Sequence, residues 1–190
     1  MFEYIVDEEL ALQLVAPHDA EALFALVDAS RPYLRQWLPW VDATRTVADV
    51  HAFIEAVRQR YDREDAVTCC IRWQGRTAGI IGLNRIDWVN FKTEIGYWLC
   101  PDGQGRGLMT KSCRALVNHA FSELGLNRVE IRAAPGNAKS LAIPQRLGFQ
   151  REGVLRQTER LYDRYVDHVV YAMLRHEWEA LTSRQSEKDS

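Results

Sequence analysis

The stretch CPDGQGRGLMTKS, residues 100–112, decides the fold of this chain. Gly103, Gly105 and Gly107 alternate with polar residues here, directly after the apolar run EIGYWLC (94–100) and before a long amphipathic segment. A strand that passes through a glycine-rich turn into a helix gathers backbone N–H groups into one concave nest, and the helix N-terminus adds about half a positive charge. The stretch therefore predicts a loop that binds a pyrophosphate, although a tight strand-to-helix turn without a ligand would use the same residues.

Two familiar phosphate-binding motifs do not match this stretch. A Walker loop ends in Gly-Lys-Ser/Thr, whereas Lys111 and Ser112 follow Thr110. The dinucleotide motif G-x-G-x-x-G would need a glycine where Leu108 stands. The loop is therefore expected to belong to another class of phosphate-binding turn.

The N-terminal part of the chain contains two predicted helix starts. Asp19 is the predicted N-cap of a helix over AEALFALVDA (20–29), and Pro32 is expected to break the chain after it. Thr46 and Asp49 form a capping box for a second helix, whose apolar residues recur at steps of three and four.

The rest of the chain alternates between strand and helix periods. Strands are predicted at 10–17, 66–73, 76–87, 92–100, 127–133 and 165–174, and helices at 109–124 and 139–147. This order is mixed α/β with an antiparallel meander in its middle, and it lacks the steady βαβ alternation of a doubly wound sheet. We expect a single domain over 1–180 and a polar, disordered tail over 181–190.

Composition excludes several classes of function. The formal net charge is -2 and the isoelectric point is about 6.2, so no electrostatic attraction to nucleic acid or to an anionic membrane is expected. No run approaches 18 apolar residues, and the acidic start MFEYIVDEELAL does not look like a signal peptide. None of Cys69, Cys70, Cys100 and Cys113 lies in a C-x-x-C pair, so we expect no metal, no disulfide framework and a reduced, cytoplasmic protein.

Several motifs together resemble one enzyme family. The segment QGRGLM (104–109) is similar to the Q/R-x-x-G-x-G/A motif of the GCN5-related N-acetyltransferase (GNAT) family, with Met109 in place of the usual last Gly or Ala. That departure, together with LRQWLPWVD, EIGYWL, PGNAKSLAIPQRLGF and the closing HEW, resembles the RimL/RimJ-like branch of ribosomal-protein N-terminal acetyltransferases. The likeness covers nearly the whole chain. It implies a mixed, mostly antiparallel sheet flanked by helices, whose central fourth and fifth strands splay apart around the pantetheine arm of the cofactor.

The resemblance also implies a cofactor and the residues that bind it. The cosubstrate is expected to be acetyl-CoA, without a metal. Its pyrophosphate is expected to contact the loop residues Gln104, Gly105, Arg106, Gly107, Leu108, Met109 and Thr110. The backbone N–H of Leu99 is expected to polarise the thioester carbonyl, and Asn137 to meet the pantetheine. Asn137 could equally be the N-cap of the helix that follows it.

The general acid of many GNAT relatives is absent from this sequence. The relatives carry a tyrosine seven residues after the asparagine, where this chain has Pro144. In the RimL-like branch a serine three residues after the asparagine is the substitute, and Ser140 matches it. The alternative for Ser140 is a solvated serine in the first turn of a helix.

The general base also departs from the commonest pattern. Arg132 stands where many relatives have a glutamate, and Glu159 aligns with the RimL-like carboxylate, so Glu159 is the predicted base. Its alternative is a surface glutamate that is ion-paired with a nearby arginine. Glu94 and Glu130 are the next candidates, and both could instead be polar residues on a solvated sheet face.

The acceptor is predicted from acid–base needs and from the resemblance. An α-amino group has an ordinary pKa of about 7.7–8.0 and a lysine about 10.4, so modest catalytic groups suit an α-amine better. We therefore expect the N-terminal α-amino group of a ribosomal protein as acceptor. A small-molecule amine and a non-catalytic acyl-CoA-binding role remain the alternatives, and a homodimer is compatible with the resemblance. Tyr33, Trp37 and Trp40 are expected to pack in the core or to wall the acceptor cleft.

Overall fold

β-Branched and aromatic residues make the middle of the chain an antiparallel meander, as predicted. Gln74 and Gly75 both have a left-handed φ (50° and 74°), which suits the two-residue turn between the first two strands of this meander. In this computed structural model, which describes residues 3–186, the strands are β1 (Glu3–Ile5), β2 (Leu10–Leu14), β3 (Val67–Trp73), β4 (Arg76–Asp87), β5 (Lys92–Leu99), β6 (Arg128–Ala133), β7 (Gln150–Leu161) and β8 (Arg164–Leu174). The helices are α1 (Ala20–Leu34), α2 (Val47–Asp62), α3 (Leu108–Asn118), α4 (Ala138–Arg146) and α5 (Arg175–Ser186).

All eight described strands join one sheet in the order β1-β2-β3-β4-β5-β6-β8-β7. Every neighbouring pair is antiparallel except β5 and β6, which run parallel. This parallel pair is short: it begins at Lys92 and Arg128 and ends at Ile95 and Ile131. Beyond these residues the two strands part, which confirms the splayed centre. They are the fifth and sixth strands rather than the fourth and fifth, because the short strand β1 was not predicted.

Helices cover both faces of the sheet. Val50 and Ile54 of α2 pack with α1 against one face, while Leu116 of α3 and Ile143 of α4 belong to the larger core on the other face. The capping box starts α2 as predicted, since the Thr46 Oγ1 accepts a hydrogen bond from the backbone N–H three residues later. No helix within residues 3–186 is long and apolar enough to cross a membrane.

Helix α1 continues past the proline that was expected to break it. Pro32 lies inside the helix, which ends at Leu34. Leu34 is buried with Val27 and Val41, and the Arg31 guanidinium donates to the Val41 carbonyl at 2.6 Å. The stabilisation gained by burying the last turn therefore exceeds the cost of the backbone hydrogen bond that proline cannot make.

Asp19 is the N-cap residue of α1, as predicted, but its side chain makes no capping hydrogen bond to this helix. Its carboxylate is buried, accepts a hydrogen bond from the backbone N–H of Ala16 at 2.9 Å and pairs with the Arg72 guanidinium. The ion pair fastens the start of α1 to strand β3. Burial raises the pKa of Asp19, but the hydrogen bonds from Ala16 and Arg72 outweigh it and hold the pKa below its ordinary value of 3.8.

Helix α5 extends into the segment that was predicted to be a disordered tail. It runs to Ser186, and Leu181 packs against the main core. A tertiary contact of this kind orders a polar segment that has little helical preference of its own. The last part of the predicted tail, 187–190, lies outside the described residues.

The buried ion pair of Asp19 predicts a pH-dependent stability. Asp19→Asn should lower the free energy of unfolding at pH 7 by about 2 kcal/mol, because it removes the charge that neutralises Arg72. The folded-state pKa lies below the unfolded value, so this stabilisation is complete above about pH 4 and is lost as the pH falls through the folded-state pKa.

Urea unfolding of both proteins between pH 7 and pH 3 measures this difference. Asp28→Asn is the matched control, since Asp28 pairs with Arg31 on the surface and is 62% exposed, and it should change stability by less than about 1 kcal/mol. An equal loss in the two variants would contradict the role of the buried pair.

Candidate active site

The glycine loop has the geometry of an anion-binding nest. Gly105 and Gly107 have φ values of 74° and 75°, a left-handed backbone that favours glycine, and α3 begins at Leu108 directly after them. Within residues 3–186, no hydrogen-bond acceptor is found for the backbone N–H groups of 105–110. The loop and the first turn of α3 therefore present several free donors at the positive end of a helix dipole.

These donors face a cleft of about 830 Å³. Most of the predicted cofactor residues line it: Leu99, Gln104, Gly105, Gly107, Leu108, Met109, Thr110 and Asn137. The side chain of Arg106 does not, because its guanidinium donates to the Asp102 carbonyl and lies 4.8 Å from the centre of the Trp73 ring. Only the backbone of Arg106 remains a predicted contact.

The end of β5 offers a further backbone donor to this cleft. The N–H of Cys100 donates to the Ala78 carbonyl of β4 at 2.8 Å. Successive N–H groups of a strand point to opposite edges, so the N–H of Leu99 points away from β4, toward the side from which β6 has diverged. An oxyanion that develops in this opening would find the Leu99 N–H in front of it.

Ser140 and Asn137 lie together at the start of α4. The Asn137 side chain accepts a hydrogen bond from the Ser140 N–H at 3.3 Å, so it caps the helix while also lining the cleft. The Tyr97 hydroxyl donates to the Ser140 carbonyl at 2.9 Å and anchors this first turn to β5. Ser140 lines the cleft, and Pro144 lies inside the same helix without ending it.

Glu159 lies outside the cleft, beside a histidine on the neighbouring strand. Its Oε2 is 3.2 Å from the Nε2 of His168, so its partner is this histidine rather than an arginine. A bulge in β7 directs Glu159 to this position: Gln157 has a φ of 49° and its N–H donates to the Asp167 carboxylate at 2.7 Å.

The other two candidate bases have different environments on the same sheet face. Burial raises the pKa of Glu94, whereas its neighbour Arg132, 3.3 Å away, opposes the rise only in part. Burial also raises the pKa of Glu130, but hydrogen bonds from Arg132 and Arg128 outweigh it and leave that pKa lowered. Glu94 is therefore better suited to take up a proton than Glu130.

A second cavity of about 540 Å³ lies on the other side of the opening. It is enclosed by α1, α2 and the sheet face beneath them, and it shares Leu38, Tyr97 and Trp98 with the first cleft. Two ligands could therefore meet where β5 and β6 part. No group of three or more histidine, cysteine, aspartate or glutamate side chains that could hold a metal occurs among the described residues.

Comparison with known proteins identifies the family. A family described as an acetyltransferase (GNAT) domain matches residues 9–150. The chain belongs to the GNAT acetyltransferases. This assignment agrees with the mixed fold, the glycine nest and the parted strands described above, and it makes the chain an N-acetyltransferase.

Three GNAT proteins show how extensive the similarity is. YdaF of Bacillus subtilis (strain 168), named as a ribosomal N-acetyltransferase, is 38% identical over 181 residues, which cover 94% of this chain and 98% of YdaF. The solved structure of RimL, a ribosomal L7/L12 α-N-protein acetyltransferase in complex with coenzyme A, has a TM-score of 0.89 and 28% identity and covers 93% of this chain and 99% of RimL. The microcin C7 self-immunity acetyltransferase MccE, in complex with acetyl-CoA and AMP, has a TM-score of 0.86 and 29% identity over 89% of this chain and 94% of MccE.

Besides Lys111, sequence reasoning missed three polar side chains of the GNAT cleft. Tyr97, Lys139 and Arg146 all line it, and the Lys139 Nζ donates to the Gln104 side chain at 2.8 Å. Their spacing could have indicated them: Tyr97 shares a strand face with Leu99, and the two cations lie seven residues apart on one side of a helix.

The nest predicts the effect of adding a charge to the glycine loop. Gly107→Glu should weaken acetyl-CoA binding at least tenfold, or by about 1.4 kcal/mol, because a carboxylate would repel the pyrophosphate from the N–H donors. Isothermal calorimetry measures the affinity. Gly75→Glu is the matched control, since Gly75 has nearly the same φ and equally open surroundings but lies in a distant hairpin turn. Equal affinities of the two folded variants would contradict the nest.

Proposed function

We propose that this chain transfers the acetyl group of acetyl-CoA to the N-terminal α-amino group of a protein, with a ribosomal protein in the cytoplasm as the natural acceptor. The observation that carries the proposal is that two cavities share Tyr97 and Trp98 of β5, just beyond the point where β5 stops pairing with β6. One cavity has the N–H donors that suit a pyrophosphate, and the other is open to an amine. The names of YdaF and RimL support a ribosomal protein as acceptor.

The transfer follows a sequential mechanism within a ternary complex. Acetyl-CoA supplies the acetyl group as a thioester. The neutral amine nitrogen forms a bond to the acetyl carbon, and the carbon–sulfur bond then breaks. The N–H of Leu99 stabilises the negative charge that develops on the carbonyl oxygen, an effect that typically contributes a few kcal/mol.

Two side chains balance the protons of this step. Glu159 lines neither cavity, so it accepts the proton that the amine nitrogen loses by way of water, with His168 as its hydrogen-bond partner. The Ser140 hydroxyl donates a proton to the departing thiolate and regains one from solvent. Glu94, whose pKa is raised by burial, is the second candidate for the base.

A free α-amine suits these modest acid and base groups. Its ordinary pKa of about 7.7–8.0 leaves a useful neutral fraction near neutral pH, while a lysine must first lose a proton at a cost of about three further pKa units. A neutral acceptor needs only a modest base. This supports an N-terminal amine over a lysine side chain.

A small-molecule amine is the second candidate acceptor. The second cavity, with a volume of about 540 Å³, has room for a small amine. The related structure of MccE contains AMP beside acetyl-CoA, so at least one protein of similar fold binds a small nucleotide.

Release of free thiol from acetyl-CoA tests the proposal with an acceptor panel. The panel contains peptides that begin with Ser, Ala or Met, a peptide blocked at its N-terminus with a free lysine, and small amines. We expect the unblocked peptides to be acetylated with the highest kcat/KM. Turnover confined to small amines would contradict the protein acceptor while keeping the mechanism.

The catalytic assignments predict a separation of turnover from binding. Glu159→Gln should lower kcat by about 100-fold and Ser140→Ala by about tenfold, with acetyl-CoA affinity unchanged, because both groups act on protons of the transition state. Glu179→Gln, on the exposed face of α5, is the matched control and should retain full activity. If Glu94→Gln loses activity and Glu159→Gln does not, the base has been assigned to the wrong carboxylate.

A further inference from the structure

The second cavity has a lining that selects for one kind of acceptor. We propose that it binds a large apolar side chain, aromatic or aliphatic, of one of the first two acceptor residues. This inference rests on the proposed function, since it assumes that the acceptor amine lies at the opening between β5 and β6. The volume of about 540 Å³ is within the range of roughly 300–1,000 Å³ that is typical of ligand pockets.

Aromatic rings form the walls of this cavity. The rings of Trp40 and Trp98 lie 6.1 Å apart, and Phe53 stands at the rim with 43% of its surface exposed. The exposed Phe53 gains little from the fold of the free protein. An apolar side chain placed against Trp40 and Phe53 would cover the Phe53 ring and remove apolar surface from water on both partners.

The charged side chains of the lining, Asp49 and Arg60, both make hydrogen bonds within the protein. The Asp49 carboxylate accepts hydrogen bonds from the backbone N–H groups of Arg45 and Thr46 and from the Thr46 hydroxyl. The Arg60 guanidinium donates to the Asn84 carbonyl. The lining contains one carboxylate and one guanidinium, so it offers a cationic chain such as a polyamine no net attraction to offset the lost hydration, and the cavity favours an uncharged occupant.

The floor of the cavity is formed where two strands lack side chains. Gly82 of β4 and Gly96 of β5 are direct neighbours in the register and line the cavity, and the Val67 carbonyl fills the space where a side chain of residue 82 would begin. The side chain of Asn84 lies over Gly96, so closely that a Cβ atom there would approach its amide to 2.5 Å. This amide can donate to or accept from the first peptide group of an acceptor.

The cavity is continuous with the place of acetyl transfer. Leu38, Tyr97 and Trp98 line both cavities, and the last two immediately precede Leu99 on β5. An amine held at the end of β5 therefore has the next side chains of its peptide at the mouth of the second cavity. With this geometry, the second cavity would bind a single apolar side chain of the acceptor close to the reacting nitrogen.

Matched acceptor pairs test this inference. The kcat/KM values are measured for peptides that begin Ser-Phe and Ser-Gly, for phenylalaninamide and glycinamide, and for spermidine. The apolar member of each pair should be preferred by about tenfold or more, which is the discrimination that an apolar pocket can supply. Spermidine should be the poorest acceptor.

Variants connect the preference to the cavity. Phe53→Ala should reduce the preference for the apolar member at least severalfold while leaving the Ser-Gly peptide nearly unchanged. Phe91→Ala is the matched control, because Phe91 is 50% exposed and lies outside both cavities, and it should keep the full preference. If Phe53→Ala fails to fold, the kcat/KM values of the unaltered protein for the matched acceptor pairs still test the apolar pocket.

The outcomes separate the two proposals. Equal kcat/KM within both pairs, or an equal loss for all acceptors in Phe53→Ala, would overturn the apolar pocket. Acetylation of phenylalaninamide over glycinamide without any turnover of peptides would contradict the protein acceptor and support the pocket. A protein that acetylates none of these acceptors would contradict both.

Discussion

The parting of β5 from β6 is the constraint on which the rest of the molecule depends. The two strands pair in parallel only as far as Ile95 and Ile131, and each then keeps a single neighbour. A strand edge inside a protein leaves backbone donors and acceptors that need partners. An interrupted sheet is therefore a ready binding site, and here it lies directly before the glycine loop.

The opening explains why two substrates can meet. The first cleft is lined by α3, α4 and the end of α1, and the second cavity by α1, α2 and the sheet face beneath them. Tyr97 and Trp98 lie between them, with side chains that alternate across the strand. A thioester bound in the first cleft would present its carbonyl carbon to an amine bound in the second cavity. Direct transfer requires this arrangement.

Local signals in the sequence were sufficient for much of this structure. The meander, the capping box at Thr46 and the nest at Gly105 and Gly107 depend on neighbouring residues, and the structure has all of them. Resemblance to the GNAT family supplied the splay between the two central strands, which periodicity alone would not have given.

Features that depend on distant residues could not be predicted in the same way. Pro32 remains inside a helix because that helix is buried at its end. The Asp19 side chain makes no capping hydrogen bond to α1 and instead pairs with Arg72, 53 positions further along the chain. Glu159 meets His168 only because a bulge shifts the register of its strand. The second cavity likewise arises from two helices and two strands that no local pattern brings together.

A crystal structure with a bisubstrate conjugate, coenzyme A joined through an acetyl bridge to the α-amine of a Ser-Phe peptide, would test the central claim most directly. The account predicts the pyrophosphate on the N–H groups of 105–110, the bridging carbonyl oxygen within hydrogen-bond distance of the Leu99 N–H, and the phenyl ring between Trp40 and Phe53. A conjugate whose bridge lies away from the gap between β5 and β6 would contradict it.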